Sequence, residues 1–206
     1  MFGLTKQELA VFKKLSSPIK IQDYLDRLPM NHEKKGETHM SPRRVLREKK
    51  AHCFEGALFA ATALWVNGEA PLLMDLQSTG KEFEDDDHIV TLYKRNGYWG
   101  AISKTNHATI RFRDPVYKTL RELALSYFHE WFLSRDGIKT LRFFSKPLNL
   151  RRFGTDWITA EEELWHFDKA LDALPHSPIV PKQNLKYVRL ADRMERKAGA
   201  IIEWKE

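Results

Sequence analysis

The sequence predicts an α+β fold in which a helix bearing the only cysteine packs on an antiparallel sheet, with extra N-terminal and C-terminal helices. Three observations carry this expectation. About four turns of helix-compatible sequence follow Cys53, with Ala57, Leu58, Ala61, Leu64 and Trp65 at helical spacing and Asn67-Gly68 as a stop. Two strand-like segments flank Asn96-Gly97, the strongest short hairpin signal in the chain. Helical stripes recur on both sides of this centre, and no internal repeat is visible.

Taken in order, residues 5–15 form an amphipathic helix, with Thr5 as N-cap, Glu8 completing a capping box, and Leu9, Val11, Phe12 and Leu15 apolar. Ser16-Ser17-Pro18 ends it, and Ile21, Tyr24, Leu25 and Leu28 mark a second helix stopped by Pro29. Residues 30–40 have no period and are expected to be a surface loop. Ser41-Pro42 starts a third helix, with proline at its first position, and this helix delivers the chain to Cys53. Residues 70–76 predict a buried strand, with Pro71 tolerated only at its start. Residues 88–94 and 98–104 predict the hairpin. Residues 108–112 predict another strand, broken by Pro115. Residues 118–132 predict a strong helix, 140–144 a strand, 159–174 a helix capped by Thr159, and 184–204 a last helix.

The chain has 206 residues and fits one domain, or one domain with an appendage. The division expected is 1–150 for the core with its N-terminal helices, and 151–206 for a C-terminal helical extension packed on the same domain. A hydrophobic share of 42% is enough to bury a core. No run of eighteen apolar residues exists, so no membrane partner is expected. The first residues lack the apolar core of a signal peptide, and one cysteine rules out an internal disulfide; both point to a reducing, cytoplasmic setting. The formal net charge of +6 would suit nucleic acid, but 28 acidic residues are mixed among the 34 basic ones. The densest basic run, Arg43-Arg44-Val45-Leu46-Arg47-Glu48-Lys49-Lys50, is the solvated face of a helix, and a nucleic-acid partner is not expected.

Candidate chemistry centres on Ala51-His52-Cys53-Phe54-Glu55-Gly56-Ala57. Cys53 falls at a helix N-terminus, where free N–H groups and the helix dipole favour thiolate. The structural alternative is a small buried apolar side chain, the commoner fate of a free cysteine. A nucleophile needs a base, and His88 opens the strand after Asp85-Asp86-Asp87. If Asn96-Gly97 is a two-residue turn, opposed residues carry numbers summing to 193. His88 then faces Thr105, and Ser103 is its diagonal neighbour on the same face of the sheet. Asn106 is an alternative partner for His88, although register turns it to the other face. Asp114 lies beyond the hairpin. His52 is expected to be a bystander, because adjacent helix residues do not face each other. Glu55 is expected to serve the helix dipole. Trp65, Trp99, Trp131 and Trp165 are expected in the core or a pocket wall. No metal is expected. The run Glu82-Phe83-Glu84-Asp85-Asp86-Asp87 lacks the EF-hand spacing, and His129-Glu130-Trp131-Phe132-Leu133 lacks the second histidine of a zinc helix.

The order of cysteine on a helix, then a strand, then histidine opening a second strand, then a polar group on the next strand resembles the transglutaminase-like superfamily. Its members include transglutaminases, peptide N-glycanases, arylamine N-acetyltransferases and bacterial cysteine peptidases. Ala51-His52-Cys53-Phe54-Glu55-Gly56-Ala57, Asp86-Asp87-His88 and Gly100-Ala101-Ile102-Ser103-Lys104-Thr105-Asn106 are similar to a bacterial transglutaminase-like group. The resemblance implies a papain-like, transglutaminase-like core over about residues 41–114, with Cys53 as nucleophile and His88 as base. The family usually places aspartate four residues after the aromatic of the second hairpin strand; counted from Trp99, that position is Ser103. Serine can accept a hydrogen bond from the ring but cannot balance an imidazolium.

The function expected is therefore that of a cysteine hydrolase or acyltransferase. It would act on a peptide, protein or small amide through a Cys53 acyl-enzyme, with a Cys53–His88–Ser103 triad and no cofactor. Hydrolysis is preferred, and an amine acceptor would make it a transamidase. The alternative is a catalytically weak or inactive binding protein on the same fold.

Overall fold

In the computed structural model, residues 2–34, 36–79 and 85–205 are described. They form an α+β structure with seven helices and a seven-stranded sheet. The helices are α1 (Lys6–Lys14), α2 (Pro18–Asp26), α3 (Pro42–Glu48), α4 (Cys53–Val66), α5 (Leu120–Phe128), α6 (Trp165–Asp172) and α7 (Arg193–Gly199). The strands are β1 (Leu72–Gln77), β2 (His88–Arg95), β3 (Tyr98–Ile102), β4 (Arg113–Tyr117), β5 (Phe143–Ser145), β6 (Leu148–Asn149) and β7 (His176–Pro178). Their spatial order is β4-β3-β2-β1-β5-β7, with β6 also paired to β1, and each pairing is antiparallel.

The first three helices begin as their capping residues dictate. Thr5 and Glu8 close a reciprocal capping box, and Ser17 and Ser41 each accept from the third N–H of a helix opened by proline. Helix α4 is the central element: Phe54 through Leu64 are buried on every side. Phe59, Ala60, Ala63 and Leu64 pack with Phe12, Ile21, Leu25 and Val45 of the N-terminal helices. Phe54, Ala57, Leu58 and Ala61 pack with Leu73 and Ile89 of the sheet and Phe167 and Leu171 of α6. The other face of the sheet, with Met74, Leu76, Val90, Leu92 and Ala101, is covered by Leu123, Ala124 and Tyr127 of α5. Helix α4 thus lies between two layers, and its first turn emerges at one end of the sheet.

The hairpin has the expected register, with Thr91 opposite Ile102, Leu92 opposite Ala101 and Lys94 opposite Trp99. Asn96 and Gly97 take left-handed φ values of 51° and 88°, as a tight primed turn requires. Other expectations need correction. The fourth strand is not 108–112 but β4, which contains Pro115. Pro115 is tolerated because β4 is the edge strand and its pairing with β3 shifts register between Trp99 and Ala101. The 159–174 helix shrinks to α6 behind a 3-10 turn at Asp156–Thr159, and the last helix is only α7 after a 3-10 segment at Lys182–Tyr187. The C-terminal part is not simply a helical extension, because β7 joins β5 in the central sheet. Nor is 30–40 a plain surface loop. Asn31 and Met40 are buried, and the segment folds over the first turn of α4.

Gly56 sits in that first turn, where β3 continues past its end into Lys104. A Cβ built on Gly56 would lie 2.4 Å from the Lys104 Cβ. Lys104 cannot swing away, since its buried Nζ donates to the carbonyls of Leu25 and Leu28 at the end of α2. Gly56→Ala is expected to destabilise the fold by about 1–3 kcal/mol, as overpacking does. Urea unfolding measures this, and an unchanged midpoint would contradict the close approach.

Candidate active site

Cys53 occupies the first position of α4. The chain reaches it through Lys49, whose left-handed φ of 54° ends α3. His52 is then extended, with φ −94° and ψ −173°, and the Glu55 carboxylate accepts from its backbone N–H at 3.0 Å. This half of a capping box fixes the start of the helix. The thiol is half-buried and faces a cleft of about 370 Å³.

His88 opens β2 and lines the same cleft as Cys53, where its imidazole favours the thiolate form of the sulfur. Its Nε2 lies 2.8 Å from the Ser103 Oγ. The Ser103 hydroxyl donates its single proton to the carbonyl of Ile110 at 2.7 Å. Ser103 therefore accepts from His88, so Nε2 carries a proton and Nδ1 is the nitrogen left for the cleft. Ser103 is itself clamped from α2. Gln22 donates to its carbonyl at 2.8 Å and accepts from its N–H at 2.9 Å. Both His88 and Ser103 are buried, and Trp131 stands edge-on to the imidazole, 6.0 Å between centroids. The sequence-derived partner of His88 is thus Ser103. The Asn106 amide is engaged elsewhere, donating to the Trp204 carbonyl and accepting from the Trp204 N–H, each at 2.8 Å. Asp114 is exposed on β4.

The residue that sequence reasoning missed is His52. It too favours the thiolate form of Cys53. The helix-face rule that excluded it holds for two helical residues, whereas His52 is an extended N-cap and its side chain leaves the helical wheel. The available signal was Glu55 three residues on, the position that reaches back to an N-cap. The His52 Nε2 is 2.8 Å from the Thr38 carbonyl, 3.4 Å from Glu55 Oε1 and 3.7 Å from Glu33 Oε1. All three are acceptors, so Nε2 is protonated and Nδ1 is turned to the thiol. Glu55 is fully buried and accepts from Asn31 Nδ2, Thr38 Oγ1 and the Met40 N–H as well as from His52.

The electrostatics follow from this geometry. Burial would raise the thiol, but hydrogen bonds from His52 and His88, with their charges, outweigh it and bring Cys53 down from 9.0 to about 5. Burial would lower His52, but its hydrogen bonds to Cys53 and Glu55 raise it to about 11. Burial opposes ionisation of Glu55 too, and His52 with the backbone donor holds it below the usual carboxylate value. The two imidazoles thus shift Cys53 toward thiolate.

Met30, Ile110, Trp131 and Phe132 supply apolar wall to the cleft. Of the acidic run, Glu82, Phe83 and Glu84 lie outside the described residues. Asp85 accepts from the Trp131 Nε1–H and the Thr140 hydroxyl, and Asp87 from the Ser78 N–H. Among the described residues no group of three or more His, Cys, Asp or Glu side chains is arranged to hold a metal ion. No described helix is long and apolar enough to cross a membrane. In comparison with known proteins, no family model and no curated protein matches the chain.

Proposed function

We propose that the protein is a thiol-dependent acyl-transfer enzyme of transglutaminase-like type, with a papain-like core, hydrolysing an amide bond through a Cys53 acyl-enzyme. One observation carries the reading: a half-buried sulfur at a helix N-terminus shares one cleft with the His88 imidazole, which Ser103 orients, and His52 and His88 both favour its thiolate form. The thiolate attacks the carbonyl carbon. The backbone N–H of Cys53, one of the helix-start donors without an intrahelical carbonyl, stabilises the oxyanion. His88 supplies the proton to the leaving nitrogen and then takes one from the attacking water. An amine in place of water gives transamidation from the same intermediate.

Alkylation tests the nucleophile. With the thiol at about 5 in the fold and 9.0 as reference, Cys53 at pH 6 is mostly thiolate when native and about one part in a thousand thiolate when unfolded. A low-pKa thiolate is intrinsically slower, by roughly 40–100-fold over this range for a Brønsted slope of about 0.4–0.5. The native protein is therefore expected to react with iodoacetamide at pH 6 roughly tenfold faster than the urea-unfolded chain. Equal rates would remove the activated thiol and the enzyme reading with it.

A further inference from the structure

We infer that His52, braced by Glu55, is the standing counter-charge of the Cys53 thiolate, so that His88 is left to move the proton. The inference rests on the acyl-transfer reading and assigns its two electrostatic tasks to different histidines. The partners of the two rings differ in kind. His88 has a neutral hydroxyl behind it, which accepts a hydrogen bond but carries no charge. His52 has a buried carboxylate behind it at 3.4 Å and a second, Glu33, at 3.7 Å. A carboxylate is what the third position of the triad lacks, and it stands instead behind His52.

The surroundings hold His52 in the charged form. Its Nε2–H donates to the Thr38 carbonyl, which can only accept, and a cation there is balanced by Glu55 in the same buried volume. Among the described residues, Cys53 itself, His88 of the same cleft, and the His39 ring 5.8 Å away, which has Asp168 at 3.9 Å, also stand near it. The raised value of about 11 for His52 agrees with this balance.

The proton inventory closes. In acylation the sulfur lone pair forms the C–S bond, the C–N bond breaks, and the leaving nitrogen takes the Nδ1 proton of His88, whose Nε2–H stays on Ser103. In deacylation a water oxygen forms the C–O bond and gives its proton to His88, while the C–S bond breaks and its electron pair returns to sulfur. His52 keeps both ring protons throughout, so the thiolate is expelled against a positive charge already in place.

The test measures the thiolate apart from turnover, by alkylation rate against pH and thiolate absorbance in the full-length protein. His52→Gln keeps a donor for Thr38, and Glu55→Gln keeps an acceptor for the loop; each is expected to lower the native alkylation rate at pH 6 at least fivefold. His88→Gln is expected to lower it by a smaller factor than His52→Gln while slowing turnover about 10²–10⁴-fold. In the wild type, ring 15N signals of His52 are expected to show two protonated nitrogens at pH 8, a reading that needs no variant to fold. A neutral His52 at pH 8, or a His88→Gln effect on the thiolate as large as that of His52→Gln, overturns the inference. In either case a wild-type thiolate that persists at pH 6 leaves the acyl-transfer reading intact, whereas its absence removes both.

Discussion

In the His88→Ala protein, p-nitrophenyl acetate is expected to release one equivalent of p-nitrophenolate and then turn over about 10²–10⁴-fold more slowly than in the wild type. The two phases ask for different things. Attack on an activated ester needs only thiolate, because p-nitrophenolate leaves without a proton, and His52 remains to hold the sulfur ionised. Hydrolysis of the resulting thioester needs a base for water, and the His88 Nδ1 is the ring nitrogen left free by the Ser103 contact. Ser103→Ala is expected to cost only about tenfold in the second phase, since it deletes a neutral hydrogen bond worth about 0.5–1.5 kcal/mol. Cys53→Ala should show neither phase. Stopped-flow absorbance separates the burst from the steady state, and wild-type turnover in His88→Ala would dismiss His88 as the base.

The site was half legible in the sequence. Local chemistry announced itself: Thr5, Ser41-Pro42 and Asn67-Gly68 punctuate helices by hydrogen bonds that lie within four residues, so the sequence alone suffices. Asn96-Gly97 fixed the hairpin register, and register put Ser103 beside His88, because side chains alternate with a strict period of two. What stayed hidden depends on contacts between distant segments. The burial of Glu55 is created by Asn31, Thr38 and Met40, in a stretch without hydrophobic period. The clamp of Gln22 on Ser103 spans eighty-one residues. Pro115 looked like a strand breaker because the sequence does not say which strand lies at the edge.

The hidden half is also where the fold is most vulnerable. Glu55→Ala is expected to destabilise the protein by about 3–5 kcal/mol, the range for removing one member of a buried ion pair. For a chain of 206 residues this lowers Tm by roughly 10 °C. Alanine would strip the acceptor from Asn31 Nδ2, Thr38 Oγ1 and the backbone N–H groups of Met40 and His52 at once. It would also leave His52 charged, with Glu33 at 3.7 Å as its carboxylate neighbour beside the Cys53 thiolate. Glu55→Gln, which keeps an acceptor oxygen but no charge, is expected to lose about half as much. The pH dependence has a fixed sign. Because the folded carboxyl lies below 4.5, its contribution is fully present above that value and is lost as pH falls through the depressed folded value. The stability gap between wild type and Glu55→Ala should therefore be full at pH 7 and shrink in acid. Differential scanning calorimetry from pH 7 down to pH 3 follows it, and a gap that stays constant or widens in acid would mean that the carboxylate charge is not what holds the 30–40 segment against the cysteine helix.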